Sequence, residues 1–219
     1  MLEGFKINCF PLNRAIRISI ALPKDYNNTS RYYPVIYFMD GQNLYKEEDS
    51  YRGMALDLEE TITRLSLEGK EAIYVGIAAA SNPERRDLEY EDKTLAEFIL
   101  SSIHPYLKTR YRMNQYIYAF ACSKASYTAL LLNENDIFKG FILISPDINT
   151  EKIKEIQFPK NNLAYIAVGS REQNGLCLSN ALALKEHNPD IFIQEFDNQE
   201  HTEAAWKTQI YDALSYLVL

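Results

Sequence analysis

The stretch Tyr116-Ile-Tyr-Ala-Phe-Ala-Cys-Ser123-Lys-Ala125, followed by Ser126-Tyr-Thr-Ala-Leu-Leu-Leu132, decides the fold of this chain. Its first half is an apolar run of strand length, and its second half carries a helical pattern. Between them stands Ser123, with Ala121 two residues before it and Ala125 two residues after. A strand that turns sharply into a helix needs small residues at those two places, because larger side chains would clash, and the turn holds the serine hydroxyl out as a nucleophile. The usual pattern is G-x-S-x-G; alanine at both flanks is a weaker match. Serine between two alanines is also common in ordinary helices, so the rest of the chain has to decide.

Outward from this point, strands alternate with helices. Strands are expected near Gly4 to Pro11, Ala15 to Leu22, Pro34 to Met39 and Ala72 to Ala78, then at Tyr116 to Ala121, Gly140 to Ile144, Ala164 to Val168 and Ile191 to Phe196. Helical patterns occupy Gly53 to Leu67, Thr94 to Tyr111, Ser123 to Asn133, Leu178 to His187 and Glu203 to Leu217. The last places Trp206, Ile210, Ala213, Leu214 and Leu217 on one face. Pro11-Leu-Asn13 is a short turn suited to an antiparallel pair. From Pro34 onward the βαβα order implies parallel strands with right-handed crossovers. With no repeat, low-complexity tract or linker in view, residues 1–219 read as one α/β domain.

The order of elements gives Ser123 its meaning. It follows the fifth strand, near the middle of an eight-stranded sheet, where ligands gather at the carboxyl ends of parallel strands. A hydrolase built on such an elbow carries its acid and histidine later in the chain, in that order. His201 sits in the loop Phe196-Asp-Asn-Gln-Glu-His201, after the last strand and ahead of the last helix. His187 reads as a helix C-terminal cap and His104 as a packed side chain.

These segments resemble the putative esterase family of α/β hydrolases, which includes enterochelin esterases, S-formylglutathione hydrolases, feruloyl and acetyl-xylan esterases and mycolyltransferases. The resemblance spans nearly the whole chain. It rests on Ala21-Leu-Pro-Lys-Asp-Tyr26, Tyr33-Pro-Val-Ile-Tyr-Phe-Met-Asp-Gly-Gln-Asn43, Val75-Gly-Ile77, Ile103-His-Pro-Tyr-Leu-Lys-Thr-Arg-Tyr111, the elbow, Val168-Gly-Ser-Arg-Glu172 and His201-Thr-Glu-Ala-Ala-Trp206. The Asp-Gly-Gln and His-to-Trp segments are the most specific. The departure lies at the elbow, where Ala121, Ala125 and Ser126 replace glycines. The resemblance implies an α/β-hydrolase fold, an eight-stranded mostly parallel sheet flanked by helices, without a cap domain. It also implies ester hydrolysis through an acyl-serine.

The chemistry distributes roles. Ser123 needs His201 as base, and an acid must fix the imidazole tautomer. Glu172, just beyond the seventh strand, is the expected acid; Asp147, after the sixth, is its competitor, and Asp197 lies too close to His201 along the chain. The backbone N–H groups of Lys124 and Gln42 are the expected oxyanion donors. Asp40 and Trp206 are expected to contact substrate, Trp206 by stacking on a sugar or aryl group. Cys122, beside the nucleophile, should face the other way along the strand. Other readings stay open: a non-catalytic binding protein with this fold, or an acyltransferase.

Composition narrows the partners. The net charge of −7 argues against nucleic acid or anionic membrane. Cys9, Cys122 and Cys177 lie far apart and read as buried, reduced thiols, with no partner expected for Cys177 and no metal-ligand spacing. No cofactor is expected, since no P-loop or dinucleotide fingerprint is present. The mixed, charged N-terminus lacks a signal-peptide pattern, so a cytoplasmic location is expected, with a small ester as substrate. Two connections bear on access: Ser145 to Leu163, too short of apolar residues to form a cap, and the charge-rich Ala79 to Lys93.

Overall fold

In the strand Tyr33–Met39 (β3) every residue but Pro34 is buried. Its side chains divide between two cores, Val35, Tyr37 and Met39 into one and Ile36 and Phe38 into the other, as the two-residue period of a strand requires. Such a strand can only lie inside a sheet covered on both faces. The structure, a computed structural model, describes residues 2–159 and 162–217.

The other strands are β1 (Leu2–Cys9), β2 (Arg14–Ala21), β4 (Ile73–Ile77), β5 (Met113–Cys122), β6 (Gly140–Ile144), β7 (Leu163–Gly169) and β8 (Phe192–Phe196). They form one sheet in the order β1-β2-β4-β3-β5-β6-β7-β8. β2 pairs antiparallel with both β1 and β4, and all pairs from β4 to β8 are parallel. The turn between β1 and β2 is closed by the Asn13 N–H on the Phe10 carbonyl at 3.0 Å, with Asn13 left-handed. This is the eight-stranded, mostly parallel sheet expected from the sequence.

Helices α1 (Leu58–Leu67) and α8 (Glu203–Leu217) cover one face, where Leu58, Leu65, Ile210, Leu214 and Leu217 meet Ile36, Phe38 and Phe120. The other face carries α2 (Pro83–Glu91), α3 (Thr94–Phe98), α4 (His104–Lys108), α5 (Ser126–Asn133), α6 (Thr150–Glu155) and α7 (Leu176–His187). Among the described residues no helix is long and apolar enough to cross a membrane.

Three departures from the expected elements stand out. The helix expected from Gly53 starts only at Leu58, because Gly53 and Asp57 both take left-handed backbone angles, φ 71° and 53°. The long helix expected over Thr94 to Tyr111 is α3, a wide π turn over Ile99–Ile103, and α4, ending at Lys108. Pro105 has no N–H for the helical ladder, and the wide turn absorbs the gap. The segment Ala79 to Lys93, expected as a polar insertion, contains α2, capped by Asn82 accepting from the Arg85 N–H at 2.9 Å and opened by Pro83. In the connection from Ser145 to Leu163, Ile153 and Ile156 are buried and Phe158 packs on Phe141. Residues 160 and 161 of that connection lie outside the described residues.

Candidate active site

β5 ends at Cys122, and the tight turn Ser123–Ala125 leads directly into α5. Ser123 is left-handed at φ 55°, a conformation that costs a non-glycine residue roughly 1–3 kcal/mol and persists only where its surroundings impose it. Ala121 and Ala125 are fully buried at its flanks, which explains why the turn excludes larger side chains. The turn aims Ser123 Oγ at His201 Nε2, 2.9 Å away. Cys122 instead packs into the core beneath α8, and burial pushes its thiol far up, so it carries no thiolate.

The histidine loop and the turn after β7 are zipped together. The Ser170 N–H donates to the Phe196 carbonyl at 3.0 Å, the Arg171 N–H to the Gln199 carbonyl at 3.0 Å, and the Asn198 N–H to Ser170 Oγ at 2.8 Å. Gly169 permits this closeness, since a Cβ there would stand 2.4 Å from the Gln199 carbonyl oxygen. The zipper brings Glu172 to the far side of the imidazole, its Oε2 3.7 Å from His201 Nδ1. That is ion-pair range, longer than a formed hydrogen bond.

Glu172 is 1% exposed, and Oε1 accepts from Ser145 Oγ at 2.6 Å and from the Gly169 N–H at 2.7 Å. Ser145 is itself left-handed, at φ 53°, and its Oγ accepts from Trp206 Nε1 at 2.7 Å. Burial pushes the Glu172 carboxyl up, but the facing imidazole, Ser145 and the Gly169 N–H outweigh it and hold the group below its ordinary value. The site thus keeps a carboxylate behind the ring. Trp206 also meets His201 edge-on, with ring centroids 5.1 Å apart. The indole, expected to meet substrate, lines the pocket at Ser123 and also braces the imidazole and Ser145 from beneath, and only 7% of it is exposed.

Asp40, left-handed at the end of β3, lines the same pocket as Ser123, but its carboxylate is committed to the protein. Arg86 from α2 binds both of its oxygens, at 2.9 and 2.5 Å, and the Tyr90 hydroxyl and the Gln42 amide reach Oδ1 as well. Gln42 is held at its other end by the Ala79 N–H at 2.9 Å. Gly41 lies flat on β4: a Cβ there would come within 2.4 Å of the Gly76 backbone. The two glycine motifs noticed in the sequence, Asp40-Gly-Gln42 and Val75-Gly-Ile77, are thus two sides of one contact. The ammonium of Lys124 sits between Asp87 and Glu91 of α2, 3.9 and 3.8 Å away.

The structure therefore brings Ser123, His201 and Glu172 together. It leaves Asp147 half-buried in a separate hollow beside Tyr90 and Lys124. Sequence reading missed Ser145, Arg86 and Cys177. The expectation that Cys177 has no partner is overturned: its sulfur lies 3.4 Å from His201 Nδ1. Ser145 and Cys177 carry no local pattern, because each matters only through residues distant in the chain. Arg86 lay in the segment whose helix went unrecognised.

The sheet resembles solved structures closely despite low identity. A ferulic acid esterase superposes with a TM-score of 0.76 at 16% identity, over 100% of this chain and 97% of that one. The enterobactin esterase of Shigella flexneri gives 0.80 at 15% identity over 99% of this chain, which spans 59% of that enzyme. An IroE-like serine hydrolase from Shewanella oneidensis gives 0.77 at 15% identity, over 100% and 80% of the two chains. No curated protein matches the sequence significantly. The family model described as "Putative esterase" matches residues 11–214, and the chain belongs to that family.

Proposed function

We propose that the chain is a serine esterase that cleaves short or polar carboxylic esters through an acyl-Ser123 intermediate, acting as a single domain. The observation that carries this reading is the 2.9 Å contact between Ser123 Oγ and His201 Nε2 at a left-handed strand-to-helix turn. Ser123 Oγ attacks the ester carbonyl while His201 Nε2 takes its proton. Glu172 stabilises the imidazolium from the Nδ1 side, closing the 3.7 Å gap as the charge develops. The backbone N–H groups of Lys124 and Gln42 receive the oxyanion. His201 then returns the proton to the leaving alcohol, and water repeats the sequence to release the acid.

Pocket size supports the substrate class. The hollow at Ser123, walled by Met39, Asn43, Leu56 and Trp206, holds about 60 Å³, room for a small acyl group. Tyr51 and Arg52 join it to a cleft of about 910 Å³ lined by Lys6, Arg14, Arg17 and Arg85, a polar seat for the remainder of the ester. A fluorophosphonate probe should label Ser123, as mapped by mass spectrometry, and hydrolysis of p-nitrophenyl acetate should accompany it. Ser123→Ala and His201→Ala should each lower kcat by about 10⁴–10⁶-fold without loss of fold, and Glu172→Gln by up to about 10⁴-fold. Asp147→Asn should leave kcat unchanged. Full activity in Ser123→Ala would end the proposal, and loss only in Asp147→Asn would move the acid to the sixth strand.

A further inference from the structure

The face of the His201 ring turned away from Ser123 meets more than a carboxylate. Cys177 Sγ lies 3.4 Å from Nδ1 and Glu172 Oε2 lies 3.7 Å from the same nitrogen. The sulfur, the ring nitrogen and a carboxylate oxygen all fall within 4.8 Å of one another. These donors come from three elements: the turn after β7, the first helical turn of α7, and the loop before α8. Cys177 and Glu172 are 0% and 1% exposed. Glu172 divides its oxygens unequally. Oε1 takes two hydrogen bonds, whereas buried Oε2 takes none among the described residues and points into this cluster.

Tetrahedral Zn²⁺ holds nitrogen and oxygen at about 2.0–2.2 Å and sulfur at about 2.3 Å, which separates adjacent donors by roughly 3.3–3.7 Å. The two spacings to Nδ1, 3.4 and 3.7 Å, match those edges, and the sulfur and carboxylate lie within 4.8 Å of each other. Thiolate, imidazole and carboxylate together are a donor set suited to zinc and its neighbours, unlike the all-oxygen sets of Mg²⁺ and Ca²⁺.

We propose that Glu172, Cys177 and His201 form an inhibitory site for a thiophilic divalent cation such as Zn²⁺, which switches off the hydrolase by occupying His201 Nδ1. The inference rests on the reading of His201 as general base. In the metal-free ring, Nδ1 carries the proton and Nε2 accepts from the Ser123 hydroxyl. Metal binding forms bonds to sulfur, Nδ1 and Oε2, with water completing the tetrahedron. The thiol gives one proton to solvent, and the ring proton moves to Nε2. That nitrogen then donates to Ser123 Oγ and has no lone pair with which to take its proton. No electrons are transferred.

The test pairs an optical signal with inhibition. Adding Co²⁺ to the purified protein should produce the near-ultraviolet thiolate-to-cobalt band and the visible bands of a tetrahedral site. Zn²⁺ should displace those bands and abolish hydrolysis of p-nitrophenyl acetate; a chelator should restore the rate, and Mg²⁺ should do nothing. Cys177→Ser should lose the thiolate band and raise the Zn²⁺ concentration for half-inhibition, relative to its own metal-free rate, by at least the ~10–100-fold that even outer-shell losses cost. His201→Ala, which removes a ring at the edge of the core, should lose the tetrahedral bands if Cys177→Ser does not fold. Cys122→Ser should keep both signals. Absence of the bands in the unaltered protein, or bands and inhibition that persist in Cys177→Ser, would overturn the proposal. The cobalt spectrum needs no turnover, so a protein that hydrolyses nothing but shows the bands would refute the esterase reading and spare the site.

Discussion

Glu172 shows how a buried carboxyl is kept ionised. The Ser145 hydroxyl and the Gly169 N–H both donate to Oε1, at 2.6 and 2.7 Å, and with the imidazole they overcome the upward push of burial. Because the folded-state value lies below the unfolded one, the stability Glu172 contributes is complete above the unfolded value of about 4.3. It is lost as pH falls through the folded value. Ser145→Ala removes one of the two bonds to the charged form and leaves Trp206 Nε1 without its acceptor. A buried polar group left unpaired costs about 1–3 kcal/mol. The variant should therefore be less stable near neutral pH, and its acid-side loss of stability should be smaller and complete at a higher pH, as followed by denaturant titrations across the acid range. An acid limb unmoved from that of the parent would mean that Ser145 does not tune Glu172. At this scale the sequence was legible for Ser123, His201 and Glu172, whose places are set by chain order after β5, β7 and β8. Ser145 was not: a serine after a buried strand has no distinguishing neighbour, and its role exists only once Trp206 is folded beneath it.

Among elements, α2 is the instructive case. Strands were readable because buried runs such as Gly140–Ile144 are apolar throughout; hairpin and crossover lengths then set their directions, but not the order that puts β4 between β2 and β3. α2 escaped because its inward face is built from Arg86, Glu89 and Tyr90 rather than from aliphatic residues. The Asn82-Pro83 pair that opens it is a capping signal, but the helix lacks the hydrophobic periodicity that marks the others. The charged inward face has a purpose. Arg86 reaches across to Asp40 and Glu89 to Arg14, tying the loop after β3 and the start of β2 to one helix. Removing one partner of a buried ion pair costs about 3–5 kcal/mol, since the other charge is left uncompensated. Arg86→Gln should lower the melting temperature by roughly 2–4 °C for each kcal/mol lost. It should also lower kcat more than it raises KM, because the loop that carries the Gln42 N–H is no longer held. A variant with reduced stability and unchanged kcat would separate α2 from the proposed oxyanion role of Gln42.

Taken whole, the molecule carries a net charge of −7, yet the cleft beside its candidate site is walled by Lys6, Arg14, Arg17, Arg52 and Arg85. Several of these are neutralised locally, Arg14 by Glu89 and Arg17 by Asp49, so the cleft is polar rather than strongly positive. A long acyl chain needs an apolar tunnel, and neither this cleft nor the small hollow at Ser123 provides one. In a series of esters from acetate to palmitate, assayed below micelle-forming concentrations, kcat/KM should fall with chain length. A rise toward the long chains, or activation at a lipid interface, would contradict the open, polar site. The sequence conveyed the absence of apolar material in Ala79 to Lys93, but not the cleft, which forms only when β1, β2 and α2 meet the loop at Tyr51.

Trp206 is the sole tryptophan of the chain. Its indole lies edge-on to His201, 5.1 Å between centroids, and its N–H is bound to Ser145 below Glu172. The tryptophan emission of the protein, excited at the red edge where its sixteen tyrosines scarcely absorb, therefore originates beside the imidazole and nowhere else. A protonated imidazole quenches an adjacent indole, so the fluorescence of the unlabelled protein is a built-in optical gauge of the charge on His201. It gives a direct readout for the proposed acylation of Ser123 and for the proposed cation behind the ring.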